Sequence, residues 1–454
     1  MALTIVSFLL LLGALMFFHE LGHYLAARRN GIAVEEFGIF GFPPRIVKLF
    51  TYDGTIFSIN AIPLGAFVRM KGEDAADMSP GSFNAASAGA RAFTLVAGPA
   101  MNFLIAILFS VLSVLSGFPA SVAHPMLESV PAQSSAAEIG LQSGDVLLSQ
   151  NGKPVLVAAT TGELLGATDF LALADGTPVP AEGLLVLRNG QRLTLAATGK
   201  TASGLLADMT YAPVLSTQIT AVVEDSPAAQ AQLLPGDIVF SVNGTPVTPD
   251  SSLGRQVNAL AGSEVTLALV RGESWLEIPV FARQNPPAGQ GSMGIAIDGV
   301  QRMVVLPFHL AVVEGVRNIA GYVGMVVSLP AMLIAGQLVP SDAGFSGPVG
   351  IAQLVGGAVN ATVDTGFWFP IWQLAAIISA GLAVANLFPI PALDGGRLLF
   401  IAFEKLRGRR LDPEKEGMIH LVGFALLLGL MVVITVSDIR SGPQSIDWLR
   451  ILGQ

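Results

Sequence analysis

The sequence predicts a multi-pass α-helical membrane protein with four transmembrane helices, a membrane-associated β-hairpin region and a duplicated α+β module outside the membrane. Three observations support this fold class. The 454 residues are 52% hydrophobic but only 13% charged, about half the charged share of a soluble domain. Several windows long enough to cross a bilayer contain no charged side chain. Finally, one segment recurs further along the chain, which indicates a duplicated module.

The composition also excludes several classes of protein and site. The net charge of −9 argues against a nucleic-acid partner. The chain is too apolar to be intrinsically disordered. It contains no cysteine, so disulfides, thiolate metal sites and cysteine nucleophiles are excluded. Any metal must therefore be bound by His, Asp or Glu.

The charge-free windows predict the membrane spans. A signal peptide is the alternative for the first window, but the chain has no basic start or clear cleavage site there, and a histidine motif follows directly. We therefore interpret this window as a retained span. The windows are residues 1–18, 92–127, 318–341, 365–393 and 417–437.

The distribution of Lys and Arg predicts the orientation of these spans, because cytoplasmic loops are enriched in both. Basic residues cluster after the first span and again before the last one. Both clusters should be cytoplasmic, which places residues 119–364 outside. The clusters are Arg28, Arg29, Arg45, Lys48, Arg69, Lys71 and Arg91, and Lys405, Arg407, Arg409, Arg410 and Lys415.

The long middle segment contains an internal repeat. With an offset of 92 residues, positions 134–155 match 226–247 at 11 of 22 sites. Chance would give roughly one or two matches, so two copies of one module are expected. Val-rich runs alternate with Asn-Gly and Asp-Gly turn signals, which predicts strands.

His19-Glu20-Leu21-Gly22-His23 forms an HExxH motif at the end of the first window. On a helix, residues i and i+4 share a face, so both imidazoles can bind one Zn²⁺. Glu20 lies beside them, where it could take a proton from water activated by the metal. The alternative is a pair of capping or interfacial histidines, although such groups are costly at the end of an apolar helix without a function.

Asp394 is the candidate third ligand. It ends the window 365–393, where two prolines and two glycines break the helix. Taken alone, Asp394 could equally cap a turn at the membrane interface. Its pairing with an intramembrane HExxH motif favours the metal site. The other histidines, His124, His309 and His420, have no ligand partner at a useful spacing.

This pairing also determines how 318–341 is placed. The first span runs inward and carries HExxH in its inner half, and the second span returns outward. If 365–393 is the third span, it delivers Asp394 to the inner side. If 318–341 also crossed, Asp394 would lie near the opposite face. We therefore expect 318–341, which contains Pro330, to be a surface-lying or partly embedded helix.

These motifs resemble the site-2 protease family of intramembrane zinc metalloproteases, in the bacterial form that carries two PDZ domains between spans two and three. The resemblance covers nearly the whole chain. The segment 19–23 is similar to the family's zinc motif, and 98–102 to its G-x3-N motif. Ser346-Gly347-Pro348-Val349-Gly350 is similar to a motif ahead of the third span. The family's N-x2-P-x4-D-G motif, whose Asp is the third zinc ligand, is similar to Asn386, Pro389, Asp394 and Gly395.

One family segment, P-L-G-G-Y, is altered here to Pro63-Leu64-Gly65-Ala66-Phe67. In the family it forms a re-entrant β-loop that guides substrate, so the resemblance makes Gly65 an accessory substrate-side candidate. Pro389, from the N-x2-P-x4-D-G motif, is a second one. Asn386 could hold the substrate backbone or pack helices, whereas Asn102 is expected to pack helices. The edge of the β region 36–70 could capture an unwound substrate by strand addition; a plain cytoplasmic β-subdomain is the alternative.

The resemblance implies a zinc endopeptidase that cleaves single-span membrane proteins, such as an anti-sigma factor or remnant signal peptides, within the bilayer of the bacterial inner membrane. The PDZ domains would lie in the periplasm and either bind cut tails or act as a size filter. The extra sequence at 157–180 puts the first peptide groove in doubt. The competing hypotheses are a membrane-tethered PDZ scaffold with a vestigial metal site and a transporter with a zinc site.

The expected order of domains follows from these assignments. It is 1–28 first transmembrane helix, 29–90 β region, 91–118 second transmembrane helix, 119–210 and 215–305 PDZ-like domains, 306–364 interfacial helix and linker, 365–402 third transmembrane helix, 403–416 cytoplasmic loop, 417–438 fourth transmembrane helix and 439–454 extracytoplasmic tail.

Overall fold

The structure is a computed structural model that divides the chain into two units. The first contains Met1–Gly117 and Leu306–Trp448, and the second contains Phe118–Val305. The residues it describes are 2–62, 65–73, 77–151, 153–158, 164–165, 183–188, 191–197, 202–206, 209–215, 217–271, 274–287, 290–299, 301–336, 346–408, 413–441, 446 and 448.

The first unit begins with a long helix, a small sheet and a second long helix. Both helices have apolar sequences, and Arg28 and Arg29 occupy the last turn of the first one, where cations stabilise the helix dipole. Ser87 caps the second helix, since its side chain accepts a hydrogen bond from the Ala90 amide. The elements are α1 (Ala2–Arg29), β1 (Val34–Phe40), β2 (Phe42–Tyr52), β3 (Thr55–Ile62), β4 (Phe67–Met70) and α2 (Ala88–Leu115).

The predicted β region is a four-stranded sheet with the order β2-β3-β1-β4. Strands β2 and β3 form a hairpin around Asp53-Gly54, both with positive φ, as a tight two-residue turn requires. Strands β1 and β3 are parallel, whereas the predicted hairpins would contain only antiparallel pairs. The short strand β4 lies at the sheet edge. Pro63 and Leu64 are outside the described residues.

The described residues of the second unit form two sheets, each with its own main core. A smaller buried cluster joins the two, since Val146 of the first sheet packs with Phe240 of the second. The strand order is β11-β10-β6-β5-β8-β9 in one and β17-β16-β14-β13-β18 in the other, with further strands paired alongside. The elements are β5 (Phe118–Ser129), α3 (Ser135–Glu138), β6 (Val146–Gln150), β7 (Lys153–Pro154), β8 (Leu156–Ala158), β9 (Leu164–Leu165), β10 (Leu184–Arg188), β11 (Gln191–Leu195), α4 (Ala202–Leu206), β12 (Thr210–Leu215), β13 (Thr217–Val222), α5 (Pro227–Gln230), β14 (Ile238–Val242), β15 (Thr245–Pro246), α6 (Leu253–Ala259), β16 (Glu264–Arg271), β17 (Ser274–Phe281), β18 (Ile295–Gly299) and β19 (Gln301–Val304).

The two halves of the sequence repeat fold alike. In the first copy the buried Asp145 forms a bidentate ion pair with Arg188, with N···O distances of 2.6 and 2.7 Å. In the second copy Asp237 pairs with Arg271 in the same way, at 2.7 Å for both contacts. These charge-assisted pairs fix each short helix and its turn to a strand. Most of the extra sequence at 157–180 lies outside the described residues.

His124, one of the histidines without a predicted ligand partner, lies within β5, where it pairs with Val214 of β12. Its Nδ1 lies 3.0 Å from the carbonyl of Leu147 and 2.9 Å from that of Val155. A polar side chain inside the strand is therefore satisfied by backbone, and it is absent from the one metal-binding cluster found among the described residues.

The remaining described elements of the first unit are helices. They are α7 (Phe308–Ile334), α8 (Pro348–Thr365), α9 (Phe369–Leu387), α10 (Asp394–Arg407) and α11 (Pro413–Ser441). The predicted helix break before Asp394 is present between α9 and α10. Helix α8 was not anticipated in the segment 306–364. The side chain of Asp438 on α11 accepts hydrogen bonds from the Gly347 and Gly350 amides at the start of α8.

Five described helices, α1, α2, α7, α9 and α11, are long and apolar enough to cross a membrane, whereas four spans were expected. The additional helix is α7, which includes residues 318–334 of the window 318–341. Its Ile319 packs in a buried cluster with Ala106 of α2 and Ala376 of α9. Together with the sheets, these helices describe a multi-pass membrane protein with β domains. The interfacial placement of 318–341 remains a prediction.

Candidate metal centre and active site

The HExxH motif lies on α1, well inside the helix. Helical geometry places the side chains of His19 and His23 one above the other on the same face. Their Nε2 atoms are 3.1 Å apart, and both residues are buried, at 4% and 5% exposure. Two imidazole nitrogens therefore converge on one point within the helical part of the unit.

Asp394 is brought to the same point by the first turn of α10. Its Oδ2 lies 3.2 Å from Nε2 of His19 and 3.4 Å from Nε2 of His23. The two following glycines allow the sharp entry into this helix. A Cβ on Gly395 would lie 2.2 Å from the carbonyl oxygen of Phe388, and one on Gly396 would lie 2.4 Å from that of Ile390. A side chain at either position would push Asp394 away.

The three atoms fit a zinc ion by spacing and by chemistry. Tetrahedral zinc with bonds of about 2.0–2.1 Å places its ligand atoms about 3.3–3.4 Å apart. The measured separations are 3.1, 3.2 and 3.4 Å. Two imidazoles and one carboxylate are also a donor set that zinc enzymes use, with the fourth position left open. Among the described residues, this is the one cluster of three such groups.

Both imidazoles are oriented through their other nitrogen by α2. Nδ1 of His23 donates to the carbonyl of Thr94 at 2.8 Å. Nδ1 of His19 lies 3.2 Å from the side-chain amide of Asn102, a residue with no exposed surface. The Asn102 atom at this distance is Nδ2. When Nε2 of His19 binds a metal, Nδ1 carries the ring proton, so turning over the Asn102 amide, which exchanges Oδ1 and Nδ2, places the oxygen that accepts it.

Asn102 therefore lies beside the cluster of His19, His23 and Asp394, in addition to the helix-packing position that was expected. Its own backbone carbonyl accepts a hydrogen bond from Ser379 of α9 at 2.8 Å. Thr94 had no sequence signal, because its contribution is a backbone carbonyl that any residue could provide. The G-x3-N spacing pointed to Asn102 but not to its partner.

Glu20 faces the β region. Its Oε2 accepts a hydrogen bond from the backbone amide of Val68 in β4, at 2.9 Å. Gly65, just before β4, has φ of +81°, and its carbonyl accepts a hydrogen bond from the Gly41 amide at 2.7 Å. A Cβ at Gly65 would lie 3.4 Å from the Met16 side chain. The edge strand thus lies directly against the HExxH turn of α1.

The structure places the other two predicted accessory residues nearby in the chain but not in the metal cluster. Asn386 is half-buried in the last turn of α9, and Pro389 is exposed in the segment that follows. The contacts of the described residues do not join either side chain to His19 or His23. Their roles remain predictions.

Two ion pairs secure the helix that carries Asp394. Arg91 of α2, almost fully buried, binds both carboxylate oxygens of Glu404 at 2.8 and 2.7 Å. Arg397, one turn after Asp394, pairs with Glu73 from the loop after β4. Leaving a buried guanidinium without its partner costs about 3–5 kcal/mol. These pairs therefore hold α10 against α2 and the β region, and sequence spacing alone did not reveal them.

Comparison with known proteins identifies the family. Residues 7–430 match the sequence model of Peptidase family M50. The chain belongs to peptidase family M50. It is 28% identical to "Zinc metalloprotease RasP" of Geobacillus kaustophilus, covering 96% of this chain and 98% of the relative. It is 29% identical to "Regulator of sigma-E protease RseP" of Escherichia coli, covering 96% of this chain and 98% of the relative.

A "Putative zinc metalloprotease" of Xylella fastidiosa is 31% identical over 96% of this chain and 97% of its own length. This M50 peptidase is therefore a zinc metalloprotease, and its cofactor is Zn²⁺.

Gly98 should support zinc binding in this M50 peptidase by leaving room for His23. A Cβ there would lie 2.3 Å from Nε2 of His23, so the imidazole would have to move away from its position. We expect Gly98→Ala to weaken zinc binding by roughly tenfold to a hundredfold, the range typical of disturbed ligand support. Zinc retained under chelator competition measures this. Gly89→Ala on the same helix is the matched control, because its Cβ meets open space; equal zinc affinity in both variants would contradict the assignment.

Proposed function

We propose that the chain is an intramembrane endopeptidase in which His19, His23 and Asp394 bind Zn²⁺ and Glu20 acts as general base. The observation that carries this proposal is the convergence of the three ligand atoms within 3.4 Å of one another, with both histidines buried inside a helix of membrane-spanning length. A buried cluster of this kind is costly without a function.

The chemistry follows from these residues. When bound, Zn²⁺ supplies Lewis-acid chemistry that makes water more acidic and polarises a carbonyl oxygen. Glu20 removes a proton from the attacking water and passes it to the leaving amine. Thr94 and Asn102 fix the two imidazoles so that their Nε2 atoms stay directed at the metal.

The position of β4 supports strand addition as the means of presenting the substrate. A peptide bond in a helix is already hydrogen-bonded, so it must unwind before it can be hydrolysed. Among the described strands, β4 pairs only with β1, and its Val68 amide already donates to Glu20. An unwound segment pairing with this edge would lie beside the general base. Asn386 and Pro389 would contact the substrate from the other side, and Gly65 would allow the sheet to approach α1.

The partners proposed here follow from the relatives. One of them is named a regulator of sigma-E protease, which supports a single-span anti-sigma factor as substrate, in the inner membrane and in contact with the lipid bilayer. Remnant signal peptides are a further substrate class. We place the two repeated modules, 119–210 and 215–305, in the periplasm as PDZ-like domains that bind or filter substrate.

The proposal is tested with purified full-length protein in liposomes and a single-span reporter substrate whose cut is mapped by mass spectrometry. We expect one or a few cuts inside the apolar span. The matched substrate carries the same span with a large folded external domain, and slower cleavage of it would support a filter. Cuts confined to the soluble flanks, or a zinc-loaded protein that cuts neither substrate, would contradict the proposal and favour a scaffold.

A further inference from the structure

The segment between α9 and α10 contains a strained residue two positions before Asp394. Ala392 has φ of +77°, a left-handed conformation that L-residues other than Asn and Asp rarely adopt. The Leu393 amide donates to the Ile390 carbonyl at 3.2 Å, which closes a tight turn with Pro391 and Ala392 at its centre. A turn with proline second and positive φ third is type II, and its third position normally holds glycine. Some other contact must therefore hold Ala392.

That contact comes from the last helix. The amide of Ala392 donates to Nδ1 of His420 on α11, at 2.9 Å. His420 also packs edge-on against Phe400 of α10, with ring centroids 5.4 Å apart. One turn further along α11, Gly423 lets the helix approach the same segment, because a Cβ there would lie 2.4 Å from Cβ of Pro391. Helix α11 therefore contacts this turn through both His420 and Gly423.

We propose that His420 is a positioning residue for the metal centre. By accepting the Ala392 amide it holds the turn in its left-handed form, and the turn directs the carboxylate of Asp394 at His19 and His23. The sequence had assigned His420 no role. This inference rests on the proposed function, since it requires Asp394 to be a zinc ligand.

Four variants of the full-length protein test this role. His420→Phe keeps an aromatic ring against Phe400 but removes the acceptor. His420→Asn keeps an acceptor close to the position of Nδ1. Ala392→Gly removes the steric cost of the left-handed turn, and the double variant His420→Phe/Ala392→Gly combines the two changes. The apparent zinc affinity is measured by chelator competition, alongside cleavage of the single-span reporter.

We expect His420→Phe to bind zinc about tenfold more weakly, as for the loss of other supporting contacts at metal sites. His420→Asn should remain within about threefold of wild type, and Ala392→Gly should restore most of the affinity lost in His420→Phe, because glycine adopts the turn without help. A purely structural role for His420 would not be rescued by a change on the neighbouring turn. If His420→Phe does not fold, Ala392→Val tests the same turn, since a branched residue is strongly disfavoured there.

Wild-type zinc affinity in His420→Phe, no rescue by Ala392→Gly, or unchanged affinity in Ala392→Val would overturn the inference. Asp394→Ala separates it from the proposed function. If Asp394→Ala loses zinc while His420→Phe does not, His420 has no positioning role but the metal site stands. If Asp394→Ala binds zinc as wild type does, Asp394 is not a ligand and both proposals are wrong.

Discussion

The Glu20→Gln variant should bind zinc as wild type does but cleave its substrate about a thousandfold more slowly, within the 10²–10⁴-fold range of general acid–base catalysis. Glutamine has the same shape, and its amide oxygen can still accept the Val68 amide that Glu20 Oε2 accepts at 2.9 Å. The geometry is therefore kept. An amide has no basic oxygen, so it cannot remove a proton from water. Zinc content and the rate of reporter cleavage, measured on the same preparation, test both halves of this expectation.

Glu264→Gln is the control for this experiment, because Glu264 is exposed at the start of β16 in the second unit. It should change neither quantity. A Glu20→Gln protein that cleaves at half the wild-type rate would show that another group acts as the base. One that loses zinc would show that Glu20 supports the metal rather than the proton transfer.

The second large effect is expected at Asp394. Replacing it by alanine removes one of the three ligand atoms and leaves His19 and His23 to bind the metal alone. We expect the zinc affinity to fall by more than the 10–100-fold typical of losing a supporting contact, and cleavage to fall below detection. Chelator competition followed by metal analysis measures the first effect.

Asp364→Ala is the matched control, because Asp364 is exposed near the end of α8. It removes the same carboxylate from the same unit and should leave zinc binding unchanged. Full zinc occupancy in Asp394→Ala would mean that the turn at the end of α9 only caps a helix, the alternative that the sequence left open.

The central part of the site could be predicted because it depends on local geometry and on one long pairing. His19 and His23 are four residues apart on a helix, so their convergence follows from the helical repeat. Asp394 was found because a carboxylate at the end of an apolar window needs a partner. The supports were missed for a physical reason. Thr94 acts through its backbone, and Arg91 meets Glu404 only after α2 and α10 have packed.

The fold shows the same division. The repeat could be recognised because the buried Asp145 and Asp237 lie in equivalent turns and form the same ion pair with an arginine. The residues around each aspartate are therefore similar in the two copies. The parallel pairing of β1 and β3 depends on how the chain crosses the sheet, which alternation of apolar residues does not encode. Helix α8 contains three glycines in 18 residues, so its helical propensity is weak. Helix α8 is stabilised by packing against α1, where Gly356 lies against Thr4. This tertiary contact could not be predicted from the sequence.

The most direct test of the account is to locate the zinc by anomalous scattering in crystals of the full-length protein, collected on both sides of the zinc absorption edge. We predict one strong peak about 2.0–2.1 Å from Nε2 of His19, Nε2 of His23 and the carboxylate of Asp394. In an enzyme that cleaves the reporter, a peak elsewhere, or the absence of any peak, would contradict the assignment of these three residues.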